Sequence, residues 1–179
     1  MERDTLKQKN KKTGFSLLEV IIAIYILVVG ILGVITLTII TTKAGAVSSS
    51  RLIAANLAQE GIEVIKNLRD LNYEEPTPGC SWSCWHTTIS SALGNYLVQY
   101  NSTALLSYVD TPLLYDSSNG LYSYTSGSTS KYNFKRVITL TNTNPASPNV
   151  SVKVISTVTW AENGQSHSLI AETDLWNWR

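Results

Sequence analysis

What this chain has little of narrows it first. Charged residues make up only 15% of its 179 positions and the net charge is +1, so neither a nucleic-acid footprint nor an acidic tail is present. Histidine is limited to His86 and His167, far apart in sequence. Neither stands beside a recognisable nucleophile, and no G-x-S-x-G, phosphate loop or paired-carboxylate signature occurs. These absences speak against an enzyme, and no catalytic residue, cofactor or metal is expected. The two cysteines, Cys80 and Cys84, have His86 nearby but lack a fourth ligand for a metal site. One local absence says more than all of these. From position 20 to position 42, a run of 23 residues, nothing is charged.

As a helix that run is roughly 34 Å long at about 1.5 Å per residue, enough to span a bilayer core. No second span of this kind is present. A lone carboxylate, Glu19, stands at its mouth, where an ionisable group is costly unless it has a purpose. The first 14 residues carry Arg3, Lys7, Lys9, Lys11 and Lys12 against Glu2 and Asp4, a net of +3, and the remainder has a net of −2. That asymmetry predicts a cytoplasmic leader and an exported C-terminal part. No A-x-A-like site follows the apolar run, so ordinary signal-peptide removal is disfavoured.

Three parts follow: a basic leader over 1–14, a long helix over 15–72 with its membrane segment at about 20–42, and a globular head over 73–179. Ser16 is placed to help cap the helix. Gly30 and Gly33, with Thr36, Thr38, Thr41 and Thr42, interrupt the apolar segment. They read either as ordinary membrane-helix composition or as a point of close packing or melting among helices. After Lys43 the pattern turns amphipathic. Ile53, Ala54, Leu57, Gly61, Val64, Ile65, Leu68 and Leu71 fall on one arc, opposite Arg51, Gln59, Glu60, Glu63, Lys66, Arg69 and Asp70. Tyr73 to Gly79, with two prolines, ends the helix.

In the head, 105–109 and 120–124 are the expected strands of a polar region, and 126–130 is expected to be a loop. Tyr132 to Leu140 alternates, with Tyr132, Phe134, Ile138 and Leu140 on one side. After a connection over 142–149, a β-branched strand runs from Val150 to Trp160, with a slip near Val154-Ile155 that suggests a bulge. Asn163-Gly164 is a hairpin signal, and the returning strand covers about 167–175. So small a sheet needs cover, and the apolar stripe of the helix supplies it. The fold class is therefore α+β.

The stretch Gly14-Phe15-Ser16-Leu17-Leu18-Glu19-Val20, with a basic leader before it and an uncharged helix behind, resembles the processing signature of type IV prepilins and type II secretion pseudopilins. The resemblance implies a type IV pilin-like fold. It also implies cleavage after Gly14 by a membrane prepilin peptidase and N-methylation of Phe15, which becomes the new N-terminus. Glu19 would then be the fifth residue of the mature chain, facing the α-ammonium of a neighbouring subunit. Further implied partners are other pilin subunits, an inner-membrane assembly platform and the membrane itself, where the protein waits before entering a filament. Ala54 to Gly61 and the closing Thr173 to Arg179 look more like V-type minor pilins than I-type pseudopilins. A minor pilus subunit is thus the leading expectation and a secretion pseudopilin the alternative. A single-pass anchored binding protein is the alternative from another class.

Several features stay open at this level. Cys80 and Cys84 would close a very small loop if oxidised, worth about 2 kcal/mol by chain entropy before strain, or remain as thiols. Five tryptophans and nine tyrosines admit sugar or surface binding, though such residues more often fill a small sheet's core. Trp176 and Trp178, two apart on a strand, share a face, which favours sheet packing. Glu172 and Asp174 are a poor match to a dedicated calcium loop.

Overall fold

The computed structural model describes residues 14, 16–74, 89, 93–143 and 151–176, with the side chains of 72–74 left aside. It is α+β, with one long N-terminal helix followed by antiparallel strands. Helix α1 runs Leu17–Glu74, so it includes Tyr73 and Glu74, two residues past the expected end at 72. The chain divides into two compact units, Met1–Gly45 and Ala46–Arg179, so the second part of α1 belongs to the unit that holds the sheets.

In the first unit, every large apolar side chain from Leu17 to Ile40 is exposed. The threonines there are satisfied within the helix. Thr36, Thr38 and Thr42 donate to the carbonyls of Leu32, Val34 and Thr38 at 2.6–2.9 Å, and Thr41 donates to Leu37 at 3.0 Å. Hydroxyls bonded in this way lose little on entering an apolar medium.

In the second unit, strands β1 (Gly94–Leu97), β2 (Leu106–Ser107), β6 (Lys135–Asn142), β7 (Ser151–Glu162) and β8 (Gln165–Trp176) form one antiparallel sheet in the order β2-β1-β6-β7-β8. A smaller sheet places β3 (Leu114–Asp116) between β4 (Leu121–Ser123) and β5 (Ser128–Thr129). Asn163 and Gly164 both take positive φ, 52° and 77°, as the tight β7–β8 turn requires. Ala54, Leu57, Ala58, Val64, Ile65 and Leu68 of α1 are buried, in two clusters with Phe134, Val158 and Trp160 and with Ile138, Leu140, Val152 and Val154.

Four expectations are corrected. Leu71 does not join the buried stripe; it is 42% exposed, one turn beyond the last buried helix residue, Leu68. No bulge interrupts β7, whose register is unbroken against both β6 and β8. The alternation holds through Val152, Val154, Ser156, Val158 and Trp160, and the inward residue that disguised it is the polar Ser156. Ser128–Thr129 is a strand rather than loop. Gly127, at φ +116°, lets the chain pass so close to the Tyr115 carbonyl that a Cβ would lie 2.6 Å from it, which allows pairing without an apolar pattern. Trp176 is 54% exposed, because Leu175 opposite the inward Val152 takes the buried position. Trp178 lies outside the described residues.

Helix and sheet come close at Gly61. A Cβ there would sit 2.8 Å from Ile138 Cδ1, 2.9 Å from Ser156 Oγ and 3.1 Å from Arg136 Cδ. Two small residues, Gly61 and Ser156, meet at this tight contact.

Candidate functional site

The sequence-derived site lies at the start of α1. Gly14 is exposed, with nothing within 4 Å of the position its Cβ would take. Phe15 lies outside the described residues. The Ser16 carbonyl accepts bonds from the amides of Glu19 (3.0 Å) and Val20 (3.2 Å), which makes Ser16 the capping residue of α1. Glu19 therefore stands in the first helical turn and is exposed. A carboxylate there is favoured by the free N–H groups and dipole of the helix start, worth about 0.3–1 kcal/mol. Glu19 thus has a local role as well as the intermolecular one that the resemblance implies. Neither Gly30 nor Gly33 has a neighbour within 4 Å of its Cβ position. Among the described residues, no packing calls for a glycine at either place.

Cys80 and Cys84 fall outside the described residues, as does His86. His167 has a structural setting, stacked on Trp160 with ring centroids 5.5 Å apart. Glu172 is paired with Lys153 at 3.4 Å. Among the described residues no group of three or more His, Cys, Asp or Glu is placed to hold a metal.

The residue that sequence reasoning missed is Arg136. Its side chain is wholly buried, on the same face as Phe134, Ile138 and Leu140. Nη1 donates to the Leu57 carbonyl (2.7 Å) and to Glu60 Oε1 (3.0 Å), and Nη2 donates to the Val98 carbonyl (2.5 Å). One guanidinium thereby joins α1, the end of β1 and β6. The parity 132-134-136-138-140 placed it inward, but its charge argued against reading it so. A second buried polar pair joins α1 to the end of β7, where the Ser50 hydroxyl donates to Glu162 Oε2 at 2.7 Å. Tyr124 donates to the Arg136 carbonyl at 3.2 Å. Burial raises the pKa of its phenol, against the lowering effect of the Arg136 charge.

Comparison of the chain with protein-family models, with curated proteins and with solved structures returned no match. Functional inference therefore rests on the residues themselves. One finding about them is plain: α1 contains a stretch long and apolar enough to cross a membrane.

Proposed function

We propose that this protein is a minor structural subunit of a type IV pilus, stored as a single-pass membrane protein and assembled through α1 after its leader is removed. The observation that carries the reading is the junction at Gly14 to Val20. There a processing-like signature with one carboxylate, Glu19, opens directly into an uncharged helix whose apolar side chains are all exposed. Such a surface needs an apolar surrounding at all times, first lipid and then the helices of neighbouring subunits. In the second setting water is scarce, and a carboxylate left without a partner is costly. Removal of the leader supplies the partner, since it creates an α-ammonium at Phe15. The pair then selects the register in which one helix lies against the next. Gly30 and Gly33, unoccupied from within the chain, give neighbouring helices room for close approach. The reading assigns the protein no catalytic role.

The test is incorporation of Glu19 variants into sheared filaments in the native host. Glu19→Ala is expected to insert in the membrane normally and to be depleted from filaments. Glu19→Gln, which keeps the size of the side chain without its charge, is expected to fail likewise. Normal incorporation of either variant contradicts the ion-pair mechanism. Loss of pili or loss of protein secretion in a deletion strain separates the pilus from the secretion pseudopilus.

A further inference from the structure

The sheet-bearing unit holds a cleft of about 740 Å³, within the range of small-molecule sites. One wall is α1 at Asn56, Leu57 and Glu60, and the other is the β3–β4–β5 sheet with the turn before β6. Three tyrosines line it, Tyr115, Tyr122 and Tyr132. They are braced rather than loose. The buried Phe134 ring lies 5.9 Å from Tyr122, edge to face, and 5.8 Å from Tyr132, and Tyr115 tilts against Tyr122 at 5.1 Å. Tyr115 is nonetheless 38% exposed, so its ring has surface to offer a ligand.

The polar groups around these rings are partly unspent. Glu60 gives Oε1 to the buried Arg136, which holds the carboxylate in place. Its Oε2 has no protein hydrogen bond among the described residues. The exposed Ser117, Ser128 and Thr129 add hydroxyls to the same lining. The one ammonium in the lining, Lys131 Nζ, lies 5.4 Å from the centre of the Tyr132 ring.

We propose that this cleft binds a neutral oligosaccharide. A pyranose offers C–H faces to aromatic rings and hydroxyls to a fixed carboxylate and to serine, which is the combination found here. One carboxylate and one ammonium leave the lining without net charge, so neither an acidic nor a basic ligand is selected. A quaternary amine, the other class that uses tyrosines beside a carboxylate, is disfavoured because Lys131 already lies against one of the rings. The inference stands on the cleft alone and does not depend on the pilin reading.

The experiment is calorimetric titration of the full-length chain in phosphatidylglycerol nanodiscs with maltotriose, cellotriose, N-acetylated chitotriose and, for comparison, choline. At least one trisaccharide is expected to bind saturably. Tyr115→Ala and Ser128→Ala are each expected to weaken that binding about tenfold, the effect of roughly 1.4 kcal/mol, while each variant still melts in one cooperative transition. Three results overturn the proposal: no saturable binding of any trisaccharide up to about 10 mM, binding by both variants as tight as by the unaltered chain, or preference for choline.

Discussion

Arg136→Ala is the substitution that the head should tolerate least. The guanidinium has no side-chain exposure and holds the carbonyls of Leu57 and Val98 together with Glu60. Removing one member of a buried pair costs roughly 3–5 kcal/mol. Glu60 is 29% exposed, so water screens part of the ion pair and pulls the cost downward. The Val98 carbonyl, left without this donor at about 1–3 kcal/mol, pulls it back up, while the Leu57 carbonyl keeps its bond within the helix. A loss of about 4 kcal/mol results, which for a domain of this size lowers the melting temperature by roughly 12–20 °C. Glu60→Gln keeps both carbonyl bonds and a neutral acceptor, and should cost only about 1 kcal/mol. Thermal unfolding of the full-length chain in nanodiscs, followed by tryptophan fluorescence, measures both, and Trp160 at 4% exposure is a suitable reporter. A shift below about 4 °C for Arg136→Ala, or equal shifts for the two variants, refutes the role given to the guanidinium.

Two further outcomes follow from the same geometry. Gly61→Leu drives three more carbons into a gap where even a Cβ meets Ile138 and Ser156 under 3.0 Å, and should cost about 3 kcal/mol or more. Gly61→Ala should be far milder, because about 1 kcal/mol of helix propensity offsets the crowding. A melting temperature for Gly61→Leu within about 2 °C of the parent contradicts this account of the contact. Asp116 organises the β3–β4 turn, accepting bonds from the amide and hydroxyl of Ser118 and from the Asn119 side chain. These bonds, the Ser118 hydroxyl first, hold its pKa below the usual 3.8. A lowered carboxylate pKa means that the turn gains stability from the ionised form above the unfolded value. That gain is lost as pH falls through the lower, folded value. The Ser118 amide resonance, followed by NMR from pH 6 down to about 2, should therefore titrate with a midpoint below 3.8. A midpoint at or above that value contradicts the hydrogen-bond pattern.

Where sequence reading succeeded, the signal was local and repetitive. The apolar stripe from Ala54 to Leu68 and the Asn163-Gly164 turn each follow from spacing alone, and the structure has them in place. Where it failed, one residue mattered more than the pattern. Ser156 looked like a slip because a polar residue occupied an inward position, and the reason lies 95 positions away in Gly61, which brings the helix too close for a larger side chain. Arg136 was passed over for the opposite reason. Its charge hid an inward position that its parity gave away, and only the fold brings it the three acceptors that make burial tolerable. Strands β1 and β3 went unread because they are three or four residues long and take their order from pairing with partners rather than from an apolar alternation of their own. The cleft was illegible for a related reason. Its tyrosines come from separate segments, and Glu60 looked like one more acid on the polar face of a helix.

The central claim of the proposed function concerns the bond between Gly14 and Phe15, which a prepilin peptidase would cut before assembly. Mass spectrometry of the protein recovered from filaments of the native host tests it most directly. The account predicts a chain that begins at Phe15 and carries one methyl group on its α-nitrogen. Filament-borne protein with residues 1–14 still attached would contradict it.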